Sequence, residues 1–186
     1  MSRITSTPTR LSALAAMAGG LAWIVVGVLQ TTGGDEFTTS KVETVAEHAM
    51  MGFFAAALVL TAPAVLALAG HARTMRPAYV AASGQVLLAI AATTSNIVGD
   101  DPMFFLVVAP LANAMWLFGA IALSVSLKRA GEVPTAVAYG LPLVQVFALP
   151  LSVIGGPVVS GGYWLAVGSL LAVGIVRRRE PQPATA

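Results

Sequence analysis

The chain contains no cysteine, which removes disulfides, thiolate metal sites, iron–sulfur clusters and thiol redox chemistry together. Charge is scarce as well. Asp, Glu, Lys and Arg make up 10% of the 186 residues, whereas a soluble domain of ordinary composition carries roughly 25%. Histidine occurs only as His48 and His71, so the two-histidine helix motif of zinc proteases is missing. There is no phosphate-binding loop, no Gly-x-Ser-x-Gly elbow and no run of arginines inside an apolar stretch of the voltage-sensing kind. The formal charge of +2 is spread over short gaps, and no stretch is long enough to fold a basic nucleic-acid-reading face. Nothing in the composition names a cofactor.

What the chain does have is long apolar runs. It is 57% hydrophobic, with a mean hydropathy of +0.84. A bilayer crossing takes about 20 predominantly apolar residues, and residues 11–31, 45–69, 77–98, 103–127, 134–154 and 158–176 approach or exceed that. The expectation is an all-α, polytopic bundle of six transmembrane helices in one domain, residues 11–176. An N-terminal arm, 1–10, and a basic tail, 177–186, flank it. Pro63, Pro110, Pro142 and Pro150 predict kinks, since proline removes a helix hydrogen bond. Helices 5 and 6 carry the most Pro and Gly, and a re-entrant hairpin is the alternative for that pair. The first run follows Arg3 and Arg10 as in a signal peptide, but its small residues come early and no cleavage site ends it. It reads as an uncleaved helix.

Nine of the ten basic residues fall in alternate gaps. Arg3 and Arg10 precede the first run, Arg73 and Arg76 follow the second, Lys128 and Arg129 the fourth, and Arg177, Arg178 and Arg179 the sixth. Short basic loops stay in the cytoplasm, so both termini are expected inside. The eight Arg against two Lys, with abundant Ala, Val and Gly, point to a GC-rich bacterial genome and hence an inner (plasma) membrane.

Six of the eight acidic residues collect at the opposite end. Asp35, Glu36 and Glu43 lie in the second gap, Glu47 in the first turn of helix 2, and Asp100 and Asp101 in the turn after helix 3. His48 adjoins Glu47, Asn96 lies one turn before Asp100, and Gln30 ends helix 1 at similar depth. Negative charge suits loops and helix N-termini, which accounts for most of these residues. Ionisable groups inside a span are costly and tend to be functional, so Glu47 and His48 stand out. The candidate ligand-binding set is Glu43, Glu47, His48, Asn96, Asp100, Asp101 and, deeper, Asn113. Two carboxylates and an imidazole suit a cation, an amine-bearing ligand or acid–base chemistry on an amphiphile. Because His71 sits at the other face, no two-histidine metal or haem site is expected.

Gln85, Asn113 and Gln145 lie near the middles of helices 3, 4 and 5, where interhelical hydrogen bonding is the first expectation. Thr93, Thr94 and Ser95 should bond back to their own helix. Small residues four apart (Ala16 and Gly20, Gly52 and Ala56, Gly162 and Ala166) permit close approach of helices. Gly19-Gly20-Leu21-Ala22-Trp23 is faintly echoed by Gly161-Gly162-Tyr163-Trp164.

Three functions follow as expectations. The leading one is small-ligand or cation binding and transport through an outward-facing polar site. The second is a membrane-embedded enzyme acting on a lipid or isoprenoid, with Glu47 as general acid. The third is a non-catalytic accessory subunit. The partners expected are the lipid bilayer, a small molecule or cation, and a second copy of the chain.

Overall fold

A computed structural model of the chain describes residues 7–32, 41–72 and 74–174. Among them there is no strand. The elements are α1 (Thr7–Thr32), α2 (Val45–Ala69), α3 (Arg76–Val98), α4 (Phe105–Ala130), α5 (Thr135–Ala148), a 3₁₀ turn (Ser152–Ile154) and α6 (Gly156–Val173). All except α5 and the 3₁₀ turn are long and apolar enough to cross a bilayer. Arg3, Asp35, Glu36, Arg73, Arg177, Arg178, Arg179 and the tail lie outside the described residues.

The fifth apolar stretch is not one continuous helix. The 14 residues of α5 reach roughly 21 Å at 1.5 Å each, short of the ~30 Å hydrocarbon core. Pro150 explains the stop. Pro63, Pro110 and Pro142 sit inside α2, α4 and α5, but Pro150 lies two residues beyond the last residue of α5. Pro150 has no N–H to donate to the Val146 carbonyl, which accepts from the Leu151 N–H instead at 3.3 Å, and the chain continues from there through the 3₁₀ turn. Gly155, at φ +86°, then reverses it into α6.

Each helix packs on its neighbour in sequence, and α6 returns against α1, so the bundle closes into a ring. Lipid offers no hydrophobic drive for helices to associate, so close van der Waals approach must hold them. Between α1 and α6 that approach is at Gly20 and Gly161. A methyl on Gly20 would lie 2.8 Å from the Gly161 carbonyl oxygen, and one on Gly161 would lie 2.5 Å from that of Gly20. One glycine of each echoed pair, Gly20 and Gly161, therefore meets the other at a helix crossing. Gly84 and Gly119 do the same for α3 and α4, each 2.5 Å, at its missing Cβ, from a backbone nitrogen of the other helix. Gly162, by contrast, faces open space, and Gly52 has only Asn96 Nδ2 at 3.9 Å.

Trp23, Trp116 and Trp164 are fully buried. Trp23 stacks on Trp116 at 6.3 Å between ring centroids, joining α1 to α4 across the ring, and Phe54 meets Trp23 edge-on at 5.4 Å. Offset and edge contacts of this kind are the favoured geometries for aromatic pairs. The outward surface is apolar too, with Leu14, Leu21, Ile90, Leu111, Phe118 and Leu143 all exposed. Helices that are apolar all round belong in a membrane. The chain is a multi-pass helical membrane bundle.

Among the described residues the two ends differ in charge. One end holds Arg10, Arg76, Lys128 and Arg129 with the acid Glu132, whose Oε2 lies 3.3 Å from His71 Nδ1. The other holds Glu43, Glu47, Asp100 and Asp101 with the cation Lys41.

Candidate functional site

The acidic end is built on the first turn of α2. Thr44 caps the helix, its hydroxyl accepting from the Glu47 N–H at 3.2 Å. In return Glu47 Oε2 accepts from the backbone N–H groups of Glu43 and Thr44, both at 2.7 Å. This is a capping box, which satisfies N–H groups that a helix start leaves unpaired. The segment before it is pinned as well, since the Val42 N–H donates to the Gly99 carbonyl at the end of α3 at 3.0 Å. Gly99 sits at φ +79°, a left-handed cap that favours glycine.

Behind this entrance lies a cleft of about 280 Å³ between α2, α3, α4 and the end of α5. Lys41, Glu47 and Asp101 line its mouth. Met50, Met51, Phe54, Leu88, Phe105 and Leu149 form its walls, and Asn113 lies at its base. From Glu47 to Phe54 is seven residues of helix, or roughly 10 Å of depth. Small-molecule sites usually enclose ~300–1,000 Å³, so this one suits a small ligand and is too small for a whole phospholipid. Phe54 in the wall meets Trp23 edge-on, and Trp23 stacks on Trp116 behind it.

The base is held by one interhelical clamp. Gln145 Nε2 of α5 donates to the Asn113 backbone oxygen at 2.8 Å and to Asn113 Oδ1 at 3.1 Å. Asn113 Nδ2 is spent on the Ala109 carbonyl at 2.9 Å. What remains for a ligand is mostly acceptor capacity. Glu47 Oε1 and the Asp101 carboxylate have no hydrogen-bond partner among the described residues, and Asn113 Oδ1 has a second lone pair. Gln145 Oε1 is buried and unpartnered just behind. The donor at the mouth is Lys41, which lies 4.0 Å from Glu43.

Three of the seven candidates from the sequence thus line one cleft: Glu47, Asp101 and Asn113. The other four do not. His48 and Asn96 clasp each other on the outside of α2 and α3. Nδ1 of His48 lies 2.7 Å from Asn96 Oδ1, and Asn96 Nδ2 donates to the His48 carbonyl at 3.2 Å. Because the amide nitrogen is donating, Oδ1 is the acceptor and the imidazole donates through Nδ1. Glu43 is exposed beside Lys41, in water, where such pairs contribute little. Asp100 is exposed and accepts from the Asp101 N–H at 2.7 Å. Among the described residues no three His, Asp or Glu side chains gather as metal ligands.

The cleft walls Met50, Met51 and Phe54 were not among the candidates from the sequence. A signal was present. Glu47, Met51 and Phe54 are spaced i, i+4, i+7, and Phe105, Ala109 and Asn113 i, i+4, i+8, each set on one helix face. Comparison with known protein families, curated proteins and solved structures finds none that matches the chain.

Proposed function

We propose that this chain is a small-molecule binding and transport protein that takes amphiphilic organic cations, amines above all, into the cleft at its acidic end. The observation carrying this reading is the chemistry of the cleft lining. Two carboxylates stand at the mouth, an amide oxygen lies at the base, and the walls between are apolar. An ammonium offers only donors and meets acceptors, while an attached apolar body replaces water against Phe54, Phe105 and Leu149. A carboxylate ligand would face like charge and find few donors. The apolar walls and the absence of a three-ligand cluster among the described residues favour an organic cation over a metal ion. The enzyme reading has less support, because the imidazole beside Glu47 is engaged with Asn96 outside the cleft.

Short basic loops remain cytoplasmic, which puts the Arg76 and Lys128 end inside and opens the cleft to the outside of a bacterial inner membrane. The test uses the purified protein in lipid nanodiscs with decylamine, decanol and decanoate, which share one chain. Decylamine is expected to raise the melting temperature, and Glu47→Gln to remove that rise. Equal effects of the three compounds, or none, reject the reading and favour a non-catalytic accessory subunit.

A further inference from the structure

A second concavity lies on the flank of the bundle and shares no residue with the cleft. It is an open groove of about 560 Å³ between α2 and α3, in the half towards the basic end. Val59, Pro63 and Leu66 of α2 form one wall, and Val86, Leu87 and Ile90 of α3 form the other. Polar groups occur along it in an ordered series. Arg76, Tyr79, Ser83, Val86 and Ile90 are spaced i, i+3, i+7, i+10, i+14, which is one face of a helix. Tyr79 and Ser83 line the groove, Tyr79 being 56% exposed and Ser83 exposed a turn further down, and Arg76 is exposed one turn before Tyr79, beyond the lining. The Arg76 guanidinium has no partner among the described residues.

Among the described residues Ser83, like Ser95 on the same helix, leaves its hydroxyl unbonded. Thr93, Thr94 and Ser169 also face outward, and each returns its hydroxyl to the carbonyl four residues before at 2.8–2.9 Å. Ser83 makes no such bond, nor any other among the described residues. Pro63 across the groove has no N–H to give the Val59 carbonyl. A groove facing hydrocarbon therefore carries an unspent hydroxyl at depth, an apolar lining beyond it and a cation at the surface. An unsatisfied polar group is costly at that level.

We infer that this groove is a binding site for one anionic glycerophospholipid. The phosphate sits on Arg76 and the Tyr79 hydroxyl, an ester carbonyl accepts from Ser83, and an acyl chain fills the groove from Ser83 to Ile90, roughly 10 Å of helix. Arginine matches phosphate oxygens with paired donors, and cationic residues at a membrane surface draw anionic lipid. The polar series rises towards one membrane surface, as a lipid does; a second copy of the chain would need no such gradient. The inference does not rest on the cleft.

The experiment is native mass spectrometry of the full-length protein, released from detergent in the presence of equimolar phosphatidylglycerol and phosphatidylcholine. The wild type is expected to retain one phosphatidylglycerol, at least about tenfold over phosphatidylcholine, since one charged hydrogen bond is worth about that factor. Arg76→Gln should erase the preference. Ser83→Trp, and independently Val86→Trp at a second exposed position, should block the groove and release the lipid. Equal retention of both lipids by the wild type overturns the inference, as does undiminished retention in both tryptophan variants. A dimer of the wild type that either tryptophan variant dissociates also overturns it, assigning the groove to a second copy.

Discussion

Gln145 holds Asn113 by both of its carbonyl oxygens, main-chain at 2.8 Å and side-chain at 3.1 Å, and so joins α5 to the floor of the cleft. Hydrogen bonds between membrane helices are worth about 0.6–2 kcal/mol. Gln145→Leu should therefore cost no more than about 2 kcal/mol, read from denaturant unfolding in detergent. Its effect on amine binding should be larger, because only the Ala109 carbonyl then holds the Asn113 amide. Unchanged amine affinity would detach this clamp from the site.

Glu47 serves as both cap and site, and two substitutions separate the roles. Glutamine still completes a capping box but loses the charge that suits a helix start, so Glu47→Gln should melt only slightly below the wild type while losing the amine response. Glu47→Ala loses the cap and should cost about 1 kcal/mol. If Glu47→Gln proves as unstable as Glu47→Ala, the charge itself is structural.

Adjacent glycines in α6 should respond oppositely to a single methyl. Gly161→Ala pushes into the Gly20 carbonyl at 2.5 Å, whereas Gly162→Ala meets nothing within 4 Å. Overpacking a close crossing costs about 1–3 kcal/mol, and Gly162→Ala should be neutral or slightly stabilising, since alanine is the better helix former. Thermal melts of the two variants decide it, and equal losses would contradict the α1–α6 crossing.

Gln85 is fully buried, donating from Nε2 to the Thr61 hydroxyl at 3.2 Å while its Oε1 has no partner. Removing both a modest bond and an orphan acceptor can nearly cancel. Gln85→Leu should change stability by less than about 1 kcal/mol. A loss of several kcal/mol in the same unfolding assay would mean that Oε1 is satisfied in the membrane.

The helices were legible because each long apolar run is as long as the bilayer is thick, and no soluble fold needs that length. The break in the fifth run was signalled by Pro150 and Gly155-Gly156, but whether proline bends or ends a helix depends on what its neighbours can satisfy. The height of the acidic mouth was legible too, since topology alone brings Glu47 and Asp101 to one end, with Asn113 deeper. Its lateral arrangement was not. Consecutive residues on a helix point about 100° apart, so only one of Glu47 and His48 can face inward. In a soluble helix the apolar stripe fixes that rotation. Here α2 carries Phe53 outward and Phe54 inward alike, and the pattern contains no phase. For α2 the close approach of Gly19, whose missing Cβ lies 2.7 Å from the Thr61 methyl, sets the rotation instead, and in a chain with 18 glycines spacing alone could not single it out.

The most direct measurement of the central claim is photolabelling with a decylamine that carries a diazirine on its chain, mapped by peptide mass spectrometry in nanodiscs. Adducts are expected on the segments holding Met50, Met51, Phe54 and Phe105, suppressed by excess decylamine and absent in Glu47→Gln. Labelling spread evenly over the lipid-facing residues, or unchanged by excess decylamine, would contradict a cation-binding cleft.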